Sequence, residues 1–304
     1  MTYKFETWID FTLQIGESPL WDEERGVLWF VDIPKPAIYC LDPRSRRVST
    51  HIMPSLIASL GIAAHGRLII AMRNGIHLWD PSTGRFEYMV HPEPELEVNR
   101  LNDGKVGPDG CFWVGSMHDA MPREPTGSLY RITPEGSCTR VLSGLRVSNG
   151  LAWSPDGRTM YHSDSRGPYI QLFDFDPATG AISNGRKLAE PDISAGLPDG
   201  GAMDQDGIYW SAGITAGVLN RFAPDGELLE VIQLPVAAPT MPCFGGTDMR
   251  TMFITSLTGQ GTGSRYEGTL SSMRVEVPGT PVDIFGRPRS VRERNPDLQQ
   301  AVGS

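Results

Sequence analysis

Residues 106–117 read VGPDGCFWVGSM and residues 151–165 read LAWSPDGRTMYHSDS. In each, an apolar run meets a Pro-Asp-Gly turn and resumes as a second, aromatic-bearing run. Asp-Gly supplies the positive φ of a tight hairpin and the proline presets the entry, so both stretches read as two antiparallel strands. The same unit recurs as LWDEERGVLWFVD from Leu20, IAAHGRLIIAM from Ile62, AMDQDGIYWSAG from Ala202 and PCFGGTDMRTMFITS from Pro242, with turns near Gly26, Gly66, Gly110, Gly157, Gly207 and Gly246. A unit returning every roughly 40 to 50 residues marks a propeller or solenoid.

Between these copies lie second hairpins with Asp-Pro or Pro-Asp/Glu turns: IYCLDPRSRRV, IHLWDPSTGRF, SLYRITPEGSCTRVL, IQLFDFDPATGAI and VLNRFAPDGELLEVI. Two hairpins per period make a four-stranded blade. The expected fold is therefore all-β, a six-bladed β-propeller of four-stranded antiparallel blades, whose radial repetition leaves only short protected edges. The strand around Tyr3 to Ile9 has no upstream partner and is expected to complete the last blade beside Leu270 to Val277, making residues 1–283 one domain. Residues 284–304 read as a polar, flexible tail in which the basic run Arg287 to Arg294 is solvated. A β-sandwich also offers short strands with regular turns, but it has no reason to repeat one turn signature at blade intervals.

Composition agrees. The 34 glycines and 25 prolines of this 304-residue chain are spread evenly, which long helices do not tolerate. A formal charge of -9, with no Lys/Arg cluster in the ordered body, argues against a nucleic-acid partner. Cys40, Cys111, Cys138 and Cys243 are widely separated and read as reduced thiols. The start of the chain has no leader pattern and no apolar window is long enough to span a bilayer, so a soluble cytoplasmic protein without a membrane partner is expected.

In a propeller, equivalent positions of the inner strands converge at one mouth of the channel. Four segments place polar groups there: GESPLW with Glu17, NRLNDGK with Arg100, Asn102 and Asp103, SNGLAWS with Asn149, and LPDGGAMD with Asp199. Two carboxylates and an amide oxygen suit a hard divalent cation such as Ca²⁺, Mg²⁺ or Mn²⁺. Taken singly, Asp199 in Pro-Asp-Gly and Asn149 in Ser-Asn-Gly fit ordinary turns equally well. Glu17 enters an apolar Leu-Trp strand and needs solvent or a partner. The chain has no GxSxG elbow, no HExxH helix and no phosphate-cradling glycine loop, so neither a covalent nucleophile nor a nucleotide cofactor is implied.

In order along the chain, GESPLW, LNDGKVGPDGCFWVGSM, SNGLAWSPDGRTMYHSDS and PDGGAMDQDGIYW resemble the hallmark stretches of the senescence-marker-protein-30/gluconolactonase/luciferin-regenerating-enzyme family, over Gly16 to about Val277. The resemblance implies a metal-dependent lactonase that opens a sugar lactone to its aldonic acid. It implies one divalent cation, whether Ca, Mg, Mn, Zn or Fe(II), held by Glu17, Asn149 and Asp199. Asp199 is a pure ligand or also the catalytic base. Asn102 points into the same site, Arg100 contacts substrate and Asp103 supports. One departure is that many bacterial relatives follow the Gly-Ser-Met of this segment with an acidic residue, where this chain has His118 and then Asp119. Asp119 takes over a hydroxyl-binding role, or His118 does with a different preference, or both are loop residues. His162 lies at the pocket edge or simply packs. Two other functions stay open: a metal-dependent hydrolase of an aryl ester or organophosphate, and a non-catalytic propeller that binds a ligand or calcium.

Overall fold

The computed structural model describes residues 3–259 and 266–289. Six sheets each contain four antiparallel strands, consecutive in sequence in five of them. Blade I comprises Gly16–Asp22, Val27–Asp32, Ala37–Asp42 and Arg47–Ile52. Blade II comprises Ile57–Ala63, Arg67–Met72, Gly75–Trp79 and Phe86–Val90. Blade III runs through Asn99–Val106, Phe112–His118, Gly127–Ile132 and Cys138–Leu145, and blade IV through Ser148–Trp153, Thr159–Asp164, Tyr169–Asp176 and Ala181–Ala189. Blade V is Pro198–Met203, Tyr209–Gly213, Val218–Phe222 and Leu228–Gln233. Blade VI is Pro239–Gly245, Thr251–Ser256 and Leu270–Arg274, completed by Glu6–Thr7 from the other end of the chain. Each inner strand packs beside the next, and the sixth returns to the first, so the ring closes.

All six expected turn glycines have positive φ, from 65° at Gly26 to 83° at Gly246. The aromatic residues of the second strands have a definite task. Trp29 Nε1 donates to Asp22 (3.2 Å), Trp113 Nε1 to Asp109 (3.2 Å) and Trp210 Nε1 to Asp204 (2.9 Å). In blades I, III and V the turn aspartate is thus buried but satisfied, and it pins the hairpin to its own aromatic strand.

The core is six apolar wedges, one at each blade-to-blade interface. Trp29, Ile38, Ile70 and Trp79 fill the wedge between blades I and II, and Trp113, Trp153 and Phe175 meet edge-on between III and IV. Full burial of each such side chain contributes about 1.5–3 kcal/mol, so stability is distributed around the ring.

The sequence reading needs correction at the C-terminal end. Ile284 and Phe285, assigned there to a flexible tail, form a short parallel strand on Ile62 and Ala63 of blade II. Phe285 is buried, Gly286 N–H donates to Gly110 O, and Arg289 binds Asp283 through Nη2 at 2.9 Å with both groups largely shielded. An apolar pair and a buried ion pair outweigh the polar composition of this stretch. Residues 290–304, the rest of the expected tail, lie outside the described residues. Among the described residues no helix is long and apolar enough to cross a membrane.

Candidate active site

Every inner strand carries an irregularity at the same level. Pairing with the second strand skips between Glu17 and Leu20, Ile57 and Ser59, Leu101 and Gly104, Asn149 and Ala152, Pro198 and Gly201, and Pro239 and Pro242. A bulge adds backbone without advancing the ladder and re-aims side chains. Here it puts Glu17, Asn102, Asn149, Asp199 and Thr240 against one cavity of about 290 Å³. Blade II has Ile57 and Ala58 at this level and contributes nothing polar; the other five blades line the space.

The strands bearing these groups are anchored by buried carboxylates. Asp32, at the end of the second strand of blade I, accepts from the backbone N–H groups of Gln14 (3.0 Å) and Ile15 (3.0 Å), which sets the approach to Glu17. Asp164 does the same for Arg146 (2.8 Å) and Val147 (3.1 Å) ahead of Asn149. In blade III, buried Glu93 accepts from Asn99 Nδ2 (3.0 Å), Ser116 Oγ (2.6 Å) and Tyr130 Oη (2.8 Å), fixing the strand that presents Arg100 and Asn102.

At the floor the polar groups bond to one another. Arg100 Nη1 donates to Asn102 Oδ1 (2.7 Å), Asn102 Nδ2 to Asn149 Oδ1 (3.1 Å), and Asn149 Nδ2 to Asp199 Oδ1 (2.5 Å) and Ser165 Oγ (2.7 Å). Glu17 Oε2 accepts from the N–H of Ser18, whose φ of 48° is part of the bulge. Burial holds both carboxylates well above the usual range, reinforced at Glu17 by the charges of Asp199 and Asp103 and at Asp199 by that of Asp103. Arg100 is the cation that opposes these shifts, but its Nε is engaged with Asp119 at 3.0 Å. The floor is thus a set of hard oxygen donors short of positive charge, which fits a divalent cation bound by Glu17, Asn149 and Asp199 with Asn102 alongside. Among the described residues no three His, Cys, Asp or Glu side chains gather as a metal cluster; this set mixes carboxylates with amides.

The structure brings Glu17, Arg100, Asn102, Asn149 and Asp199 together at the cavity, and places His118 and Asp119 outside its lining. Neither of those two lines the cavity. His118 Nδ1 faces Ala120 O at 3.1 Å, while Asp119 binds Arg100 and, at 3.2 Å, Arg73. Asp119 therefore holds Arg100 in place. Asp103 lies beneath the floor, accepting from Leu151 N–H (3.1 Å). His162 is fully buried; Gln171 donates to its Nδ1 (3.1 Å), so its own proton sits on Nε2 and goes to Ser148 Oγ (2.8 Å). Sequence reasoning missed Arg123, Ser165, Arg166, Thr215 and Thr240 in the lining. Four of these come from loops or loop ends; only Thr240, in the bulge position of blade VI, had a repeat-based signal.

Residues 15–258 match the family model of the SMP-30/gluconolactonase/LRE-like region. The chain is 36% identical to the 6-deoxy-6-sulfogluconolactonase of Pseudomonas putida over 89% of its own length and 94% of the relative's. It is 33% identical to regucalcin of Xenopus laevis, covering 83% and 86% of the two chains. A crystal structure of a calcium-binding protein, regucalcin, from Agrobacterium tumefaciens superimposes with a TM-score of 0.89 at 25% identity over 94% of this chain and 98% of that one. The six repeated bulges, the oxygen-donor floor and these matches lead to one conclusion: the chain belongs to the SMP-30/gluconolactonase/LRE-like family.

Proposed function

We propose that the protein hydrolyses a sugar lactone in a metal-dependent reaction. The observation that carries this reading is the convergence of Glu17, Asn102, Asn149 and Asp199 from four blades on the floor of one open cavity. The names of the relatives support it, since one is a sulfogluconolactonase, and a regucalcin described as calcium-binding shares the fold. A volume of about 290 Å³ lies at the small end of ligand pockets and suits a single sugar ring.

Glu17, Asn149 and Asp199 would hold the cation, which when bound polarises the lactone carbonyl and acidifies water. Arg100 Nη1, locked to Asn102 Oδ1 at 2.7 Å, leaves Nη2 as the directional donor to the ring and its carbonyl, while Asn102, whose Nδ2 serves Ser148 O (3.0 Å) and Asn149 Oδ1 (3.1 Å), positions it. Asp199 receives the proton of the attacking water. Its Oδ1 is already engaged by Asn149, so Oδ2 takes that proton. The hydroxyl adds to the carbonyl carbon, the ring C–O bond breaks, and the proton passes to the departing ring oxygen. One water is consumed, and a carboxylic acid and a free hydroxyl are formed.

The test is acid release from a panel of five- and six-membered aldonolactones by chelator-stripped protein resupplied with Ca²⁺, Mg²⁺, Mn²⁺, Zn²⁺ or Fe²⁺. Hydrolysis lost on stripping and regained with at least one ion is expected. Full activity in the stripped protein would remove the metal from this reading, and inertness with every pair would remove the lactone.

A further inference from the structure

The chain carries a formal charge of -9, yet the wall of the candidate cavity is cationic. The carboxylates that line it, Glu17 and Asp199, are both at the floor; higher up the lining holds Arg123 and Arg166, from the loops that follow the second strands of blades III and IV. Arg123 gives Nη1 to the backbone oxygen of His118 (2.6 Å) and shares Asp119, at 3.7 Å, with Arg100 and Arg73. One carboxylate thus serves three guanidinium groups. Arg146 adds a fourth nearby, bound to the backbone oxygen of Arg123. Arg166 is exposed, its backbone held by Asp164 (3.0 Å), and its guanidinium has no carboxylate or carbonyl partner among the described residues.

A lone exposed arginine is ordinarily just solvated. Two arginines from separate blades lining one cavity, beside a carboxylate outnumbered three to one, form a local positive field in an acidic protein, and such a field selects and steers an anionic ligand. The hydroxyls of Ser165 and Thr215 in the same wall can share its hydrogen bonds. Because the reacting carbonyl must reach the floor, the negative group has to sit at the other end of the substrate.

We infer that the substrate is an anionic sugar lactone, carrying a carboxylate, phosphate or sulfonate on the carbon remote from the ring carbonyl, and that Arg123 and Arg166 are its specificity-determining residues. This rests on the lactone reading above and narrows it. The three anions share the chemistry that a guanidinium pair recognises, and they differ in charge and shape enough for direct comparison.

The experiment compares kcat/KM for gluconolactone, its terminal phosphate ester, its terminal sulfonate and glucarolactone, using the metal-loaded protein and the Arg123→Ala and Arg166→Ala variants. In parallel, calorimetry measures binding of glucitol and of glucitol bearing a terminal phosphate, neither of which can be hydrolysed. At least one anionic lactone should exceed gluconolactone by tenfold or more, with an advantage that shrinks as salt rises. Each variant should lose at least tenfold on the anionic substrate and less than threefold on the neutral one. Comparable turnover of neutral and anionic lactones, with equal losses in the variants, would overturn the inference while leaving lactone hydrolysis standing. Arginine-dependent binding of the phosphorylated polyol with no lactone hydrolysed would uphold the anion site and sink the lactone reading. Failure of both arms would sink both.

Discussion

The two ends of the central channel treat buried charge in opposite ways. At the upper end the floor carboxylates, Glu17 and Asp199, face an open cavity, with Arg100 as the nearby cation already committed to Asp119. Toward the lower end Asp103 has one oxygen without a hydrogen-bond partner, and the charge that opposes its burial is the ammonium of Lys105, whose Nζ donates to Gly201 O at 2.8 Å. That end holds a smaller cavity of about 80 Å³, lined in part by residues 280–283 and Arg289. The lower end carries a cation of its own chain, Lys105, and the upper end has room for one that binds from solution. Removing Lys105 would strand a buried carboxylate, whereas the deficit at the mouth is open to a ligand.

The sharpest way to break this contrast is at the open end. Asp199→Ala should lower lactone turnover by about 10³-fold or more, on the order of 4 kcal/mol of transition-state stabilisation, with tryptophan fluorescence and the urea midpoint little altered. A variant keeping a tenth of the activity would take Asp199 out of the reaction. At the lower end the effect should fall on stability instead. Lys105→Met leaves Asp103 buried without its cation and should cost about 3–5 kcal/mol in urea unfolding. Adding Asp103→Asn to that variant should restore most of the loss. Failure of the second substitution to rescue would mean that the two charges do not compensate each other.

A smaller effect lies in the layer between the ends. Burial lowers His162 from 6.5 to about 4. Above pH 6.5 the imidazole is neutral folded and unfolded, so it adds no pH dependence. As pH falls from 6.5 toward 4 only the unfolded chain takes up the proton, and stability declines by about 3 kcal/mol in total before levelling off. His162→Gln should flatten that limb in a series of urea midpoints from pH 7 to pH 4; an unchanged slope would show that other groups produce it.

The fold was legible because turn chemistry is local. Gly26 or Gly157 needs no knowledge of the rest of the chain to demand its positive φ, and the recurrence of that demand counts the blades. The floor of the site was legible one step further on, since once the blades are counted Glu17, Asn102, Asn149 and Asp199 must meet. The bulges that aim them were not, because an extra residue in a ladder shows only when the partner strand is known. Arg123 and Arg166 had no signal at all: loop lengths differ from blade to blade, and a loop arginine looks the same whether it faces solvent or a cavity. The choice among the readings of Asp119 stayed open for a related reason. Its neighbours Arg73 and Arg100 lie on different blades, so the ion pairs that fix its role have no trace in sequence. At Ile284 the two-residue apolar pair in DIFGRPR was a readable sign of docking, hidden by the polar average around it.

The joint in blade VI has a consequence for how the protein is made. Trp8 Nε1 donates to Ser272 Oγ across 264 positions of sequence, and Glu6–Thr7 finds its partner strand only at Leu270–Arg274. On a ribosome adding about 5–20 residues per second, the first strand therefore waits some tens of seconds for the last. Throughout that interval the flank of blade I that will face blade VI, with Trp21 and Phe30, has nothing to cover it. The nascent chain is a ring with a gap, and its exposure to aggregation or chaperones ends only when the final blade has left the tunnel.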